Sequence, residues 1–189
     1  MATEPWLRLF LEVAWQYGWR KQEILGLHVR QVDLRTNLIR FDVGATKNGE
    51  GREVAMTHTI RELVRQAVVG KSPENQLFTR ANATPVKDFR KRWKKLCEKV
   101  GLYDLHIHDF RRSAARELRK AGVPESTIMD IGGWKTREMF KRYAITDSKD
   151  IAAAIAKREQ LQAENSHDFS HDSSSEASVN AEPTTGRII

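Results

Sequence analysis

The sequence predicts a mainly helical α+β domain with one small antiparallel sheet. Three observations predict it. Apolar residues recur at helical spacing along most of the chain. One alternating run, residues 38–43, is followed by the turn residues Gly44, Asn48, Gly49 and Gly51, then by a return run over residues 52–56. Hydrophobic residues make up 40% of the 189, enough for a core. No stretch approaches the roughly 18 apolar residues of a membrane-spanning helix. This length suggests one domain, or one domain with a tail.

The elements follow in order. Thr3 can cap a first helix that has Glu4 and Pro5 in its first turn. Trp6, Phe10 and Val13, with Leu7, Leu11 and Ala14, form its apolar face, and Gly18 ends it. A short second helix carries Ile24, Leu25 and Leu27. The two alternating runs then pair as a hairpin, with Lys47 in the connection. Thr57 or Thr59 caps a third helix with Ile60, Leu63, Val64 and Ala67 inward. Residues 71–75 form a loop, and Leu77-Phe78 a short buried piece.

Pro85 is expected to open a long basic helix. Its inner stripe is Val86, Phe89, Trp93, Leu96, Cys97 and Val100; Lys87, Arg90, Lys91, Lys94 and Lys95 lie on other faces. The next helix begins at His108 and runs through Ala114, Ala115, Leu118 and Ala121 to Gly122. His108 and Arg111 are three apart, so on a helix they share a face. Pro124 opens another helix with Ile128 and Ile131 inward; Gly132-Gly133 breaks it and should expose Trp134. A further helical run carries Tyr143, nine residues after Trp134. Asp147 or Ser148 can cap a last helix over residues 149–163, with Ile151, Ala154 and Ile155 on one side. Residues 164–189 are rich in Ser, Asn, Asp and Glu and are expected to be disordered. The expected organisation is one domain over residues 1–163 and a tail over 164–189.

Charge narrows the function. The net charge is +7, but residues 164–189 hold five acidic side chains against one arginine, a net of −4, which leaves +11 on the rest. A body that basic suits a polyanion, with phosphate contacts supplying salt-sensitive affinity. One cysteine, Cys97, excludes an internal disulfide and a cysteine-based zinc site. It reads as a core thiol. None of the six histidines shows metal-ligand spacing, so no metal or cofactor is expected. The N-terminus lacks the basic segment and cleavage site of a signal peptide, which points to the cytoplasm.

The motifs form an ordered set: Arg20 ahead of an Ile24-Leu25 helix, Thr46-Lys47 in the hairpin, His108-x-x-Arg111, Gly133-Trp134, and Tyr143. Any one of them alone is an ordinary surface or packing residue. The ordered set, with the tyrosine in place, resembles the catalytic domain of the tyrosine recombinases, the phage-integrase family. The resemblance spans about residues 4–163. It implies a tyrosine-recombinase catalytic-domain fold and DNA strand transfer through a 3′-phosphotyrosine, without metal or ATP. It implies a catalytic set of Arg20, Lys47, His108, Arg111, Trp134 and Tyr143, with Tyr143 as nucleophile and Glu23 able to orient Arg20.

In that family the two arginines clamp the phosphate. A mobile lysine on the hairpin gives the leaving oxygen its proton. Most members have His where Trp134 stands; an indole can donate a hydrogen bond but cannot shuttle a proton. A basic helix also approaches the duplex there, which makes Lys87, Arg90, Lys91 and Lys94 expected DNA contacts; Arg112, beside Arg111 on the next helix, is expected to be another. Arg112, Tyr17 and Tyr103 are the rivals to Arg111 and Tyr143, and all three lack the motif spacing. The implied partners are double-stranded DNA and further copies of the chain, assembled as a tetramer on DNA through the last helix; no membrane is involved. Members usually carry a core-binding domain ahead of the catalytic one. None precedes the first helix here, so a weaker grip on DNA is expected. Two other readings stay open: a type IB topoisomerase-like relaxing enzyme, and a truncated DNA-binding or regulatory remnant without catalysis.

Overall fold

The computed structural model describes residues 4–42, 51–143 and 148–172. It divides into two units, Met1–Ile145 and Thr146–Ile189. Thr3, Lys47 and residues 173–189 lie outside the described residues.

The first unit is built on α1 (Pro5–Tyr17). Pro5 sits where a missing N–H costs nothing, and Gly18 closes the helix in the left-handed region, its N–H bonding Ala14. The expected apolar face is buried: Trp6, Leu7, Leu9, Phe10, Val13, Ala14 and Tyr17 all point inward. Phe10 meets Phe78 and Phe89 edge to face, at 6.3 and 4.9 Å between ring centres. After α2 (Lys21–Leu25) comes a single 3-10 turn, then three antiparallel strands in the order β1 (Val32–Asp33), β2 (Leu38–Phe41) and β3 (Arg52–Ala55). Ile39 pairs with Val54, and Phe41 with Arg52. Helix α3 (His58–Ala67) is capped by Thr57, whose hydroxyl accepts the Ile60 N–H at 3.2 Å. The predicted α+β class and its small sheet are both present.

Helix α4 (Arg90–Lys99) is shorter than expected. Pro85 does not open it, because Thr79 pairs with Pro85 as an antiparallel bridge and the Val86 N–H bonds Phe78 at 3.0 Å. That pairing holds the chain extended. Asp88 then accepts the Arg90 N–H at 3.1 Å and starts the helix. Lys87 therefore precedes the helix. Val100, expected inside, is 62% exposed just past the last turn.

Helices α5 (Asp109–Lys120), α6 (Glu125–Gly132) and α7 (Arg137–Lys141) complete the unit. Their own core is small: Ala115, Ile128, Trp134 and Phe140. Trp134 is buried at 4% exposure, against the expectation that the Gly-Gly break would expose it. The break itself makes the room. A Cβ on Gly132 would lie 1.8 Å from the indole, so only glycine lets the ring fold back. Tyr103 is 75% exposed.

The second unit contains α8 (Ser148–Asp172), a helix of 25 residues. It runs past the expected end near residue 163 into the segment expected to be disordered. Among the described residues, no helix is long and apolar enough to cross a membrane.

Candidate active site

Four elements of the first unit converge on one constellation. Arg20 caps α2, and its backbone and side chain both bond Glu23; the Arg20 Nη1–Glu23 Oε1 distance is 2.7 Å. Glu23 is buried, and its other oxygen accepts Arg52 Nη2 at 2.8 Å. Burial opposes ionisation of Glu23, but the hydrogen bonds from Arg52 and Arg20 outweigh it and hold the carboxyl below its ordinary range.

Arg111 is almost completely enclosed, at 2% exposure. Its Nη1 donates to the carbonyls of Gly18 (2.5 Å) and Gly132 (2.7 Å), and its Nη2 to Gly133 (3.4 Å). The guanidinium lies 3.8 Å over the Trp134 ring and 5.6 Å from that of Tyr143. Burial first, then the Arg20 charge, lowers the Arg111 pKa to about 10, which still leaves it cationic at neutral pH. Gly18 explains how α5 comes so close. A Cβ there would lie 3.0 Å from Ala114 and 3.3 Å from the Arg111 Cα, and its φ is +65°.

His108 caps the start of α5, and its Nε2 lies 2.9 Å from the Tyr143 hydroxyl. Burial, then the Arg111 charge, pushes the imidazole below its ordinary pKa, which favours the neutral ring. A neutral ring protonated on Nδ1 can accept the tyrosine proton at Nε2. Tyr143 is half-buried and tilts against Trp134, with 5.7 Å between ring centres. The Trp134 Nε1 meets no hydrogen-bond partner among the described residues.

The structure thus brings Arg20, His108, Arg111, Trp134 and Tyr143 together; Lys47 lies outside the described residues. Both rival tyrosines sit elsewhere. Tyr17 is buried and donates to the Ala55 carbonyl at 2.8 Å, and burial raises its pKa to about 12. Lys87, Arg90, Lys91, Lys94 and Arg112 are all exposed. Arg90 and Lys91 also line a pocket of about 310 Å³ with Arg80, Arg92, Asp88, Trp6 and Phe89. Cys97 is buried, as expected of a core thiol. Sequence reasoning missed Arg52. It reads locally as the first residue of a return strand, and its partner Glu23 lies 29 positions away.

Residues 2–150 match the model of the phage integrase family. The chain is 31% identical over 146 residues to the tyrosine recombinase XerA of Saccharolobus solfataricus, covering 76% of this chain and 48% of that one. It is 27% identical over 152 residues to the integrase of Salmonella phage P22, covering 75% and 39%. It therefore spans less than half the length of these relatives. Among solved structures, the Tn1549 transposon integrase in complex with a circular intermediate DNA superposes with a TM-score of 0.65 at 17% identity, over 78% of this chain and 57% of that one. The XerH site-specific recombinase bound to its difH substrate gives 0.60 at 18% identity, over 78% and 45%. At these identities the superpositions speak for the fold.

Proposed function

Because the chain belongs to the phage integrase family, we propose that it is the catalytic part of a site-specific DNA recombinase, breaking and rejoining strands through a 3′-phosphotyrosine. The observation that carries this reading is the Tyr143 hydroxyl, 2.9 Å from a His108 ring kept neutral and beside the buried Arg111 cation.

The steps balance without a cofactor. The Tyr143 oxygen attacks phosphorus and gives its proton to His108 Nε2. A tyrosine–phosphorus bond forms as the bond to the 5′-oxygen breaks. Lys47 supplies the proton that the departing 5′-oxygen needs. A 5′-hydroxyl from the same or a partner duplex then attacks back and releases the tyrosine. Bond energy stays in the phosphotyrosine, so no ATP is consumed.

Charge builds on the non-bridging oxygens in the transition state, and fixed donors stabilise it. Arg20 presents a partly exposed fork. Arg111 adds a buried cation beside the Tyr143 ring, and Trp134 an indole N–H that meets no partner among the described residues. The exposed cations at Lys87, Arg90, Lys91, Lys94 and Arg112 hold the flanking duplex through phosphate contacts.

A second copy enters through α8. Ile151 is 59% exposed, Ile155 52% and Leu161 51%. These apolar positions would bury against a neighbouring protomer when copies assemble as a tetramer on DNA.

The test is trapping on a nicked suicide duplex, which lets the 5′ fragment diffuse away. The parent should form a covalent adduct that maps to Tyr143, and Tyr143→Phe should form none while binding DNA nearly as well. An adduct on Tyr103 or Tyr17 would overturn the assignment.

A further inference from the structure

We propose that Arg52 is a positioning residue of this site: it neutralises the buried Glu23 so that the Arg20 charge remains available to the scissile phosphate. The proposal rests on the reading of the site as one that cleaves DNA.

The three side chains form a chain of charge. Glu23 has a side chain only 5% exposed, with Arg20 on one oxygen at 2.7 Å and Arg52 on the other at 2.8 Å. The two arginines differ in access. Arg20 is 24% exposed at its side chain, Arg52 only 11%. Arg52 is also clamped, its guanidinium lying 4.2 Å over Phe41 and 5.1 Å over Trp19. On its far side stands Gly133, where a Cβ would come within 2.1 Å of Arg52 Nη1. The φ of +66° at Gly133 favours glycine for a second reason. Arg52 therefore touches both the Glu23–Arg20 pair and the turn that carries Trp134 and accepts Arg111.

The electrostatics give it a task. One carboxylate shared by two cations leaves a net positive charge, and the more accessible cation is Arg20. Without Arg52, the buried Glu23 Oε2 would lose its cationic partner and keep only the long bond from the Arg20 backbone N–H at 3.4 Å, which is costly in a low-dielectric site. The remaining arginine is the nearest remedy. Arg20 would close on Glu23 as a two-point fork and be withdrawn from the phosphate. Burial already works against the Arg52 charge, so the fold keeps that cation in place against a solvation penalty.

A purely structural role and this one predict opposite signs in a double variant. Arg52→Met should slow single-turnover cleavage by roughly 10- to 100-fold, the range seen when a group behind a primary contact is lost. DNA affinity should change little, since the side chain is nearly buried. Adding Glu23→Gln should then raise cleavage by about tenfold, because the competing carboxylate charge is gone. Arg52→Gln gives the same pair of measurements if Arg52→Met does not fold. A double variant no faster than the single one overturns the proposal. Titration with inorganic phosphate, followed at the Arg20 Nε–H by NMR, separates this from the proposed function. Weakening in Arg52→Met and recovery in the double variant would uphold the role of Arg52 even if the parent forms no DNA adduct. No phosphate response at Arg20 in the parent would overturn it.

Discussion

The two halves of the site stand on cores of very different thickness. Arg20, Glu23 and Arg52 rest on the large cluster that runs from Trp6 to Phe89, where α1, α2, the sheet, α3 and the segments that join and follow them bury more than twenty side chains. Trp134 and Tyr143 rest on the small cluster of Ala115, Ile128, Trp134 and Phe140. The thick half fixes cations, which in the proposed reaction wait at one place for developing charge. The thin half carries Tyr143, which in the proposed reaction must attack, remain bonded to DNA and later leave. Few buried contacts mean a lower free energy for local opening. On the proposed reaction, the half with fewer buried contacts is the one whose side chains must move.

Arg111 is the clasp between the halves, and removing it should have the largest effect. It bonds Gly18 from the thick half and Gly132 from the thin one. Arg111→Ala leaves these buried carbonyls without their donor and the Trp134 face without its cation. We expect cleavage to fall at least about 10²-fold and stability to drop by about 3 kcal/mol. Hydrogen exchange should localise the loss: amides of α6 and α7 should open far more than those of α1. Uniform loosening of both halves would erase the distinction.

The next effect sharpens the thin half alone. Burial and the Arg111 charge depress the His108 pKa, so the ring is neutral at pH 7 and protonates only below its ordinary value near 6.5. Single-turnover cleavage should therefore hold as pH falls through about 6.5 and decline below it. Between the depressed value and about 6.5 the unfolded chain binds the extra proton, so this group also makes stability rise with pH across that window. His108→Gln should remove the acid limb and slow cleavage on the order of 10²-fold. An acid limb that survives the substitution would assign the titration to another group.

The sequence disclosed the two halves unequally. The α1 face and the sheet were legible because local periodicity encodes them, and Arg20, His108, Arg111 and Tyr143 stood out because their ordered motifs resemble those of the family. Trp134 was misplaced because burial there depends on an absent Cβ at Gly132 and on a cation from another helix. Arg52 was missed for a similar reason: Glu23, Phe41 and Gly133 meet it only after folding. The start of α4 was displaced by a bridge between Thr79 and Pro85, which outweighs the preference of proline for a first helical turn. Contacts between distant residues decided each of these, and spacing along the chain does not encode them.

The smallest expected effect on folding comes from α8, and it tests whether the comparison ends at residue 143. Ile151, Ile155 and Leu161 are each at least half exposed, so they contribute little burial to lose. Ending the chain before Ser148 should shift the melting temperature by no more than about 2 °C, under roughly 0.5 kcal/mol. Single-site DNA binding should persist, because Lys87, Arg90, Lys91, Lys94 and Arg112 all remain. Synapsis of two duplexes should be lost, because the apolar face proposed to dock on the next protomer is gone. Gel mobility and light scattering on paired target sites separate these outcomes. A shortened chain that still synapses at the parent level would remove α8 from the assembly. A large fall in melting temperature would instead make the helix part of the thick half, supporting the fold rather than awaiting a partner.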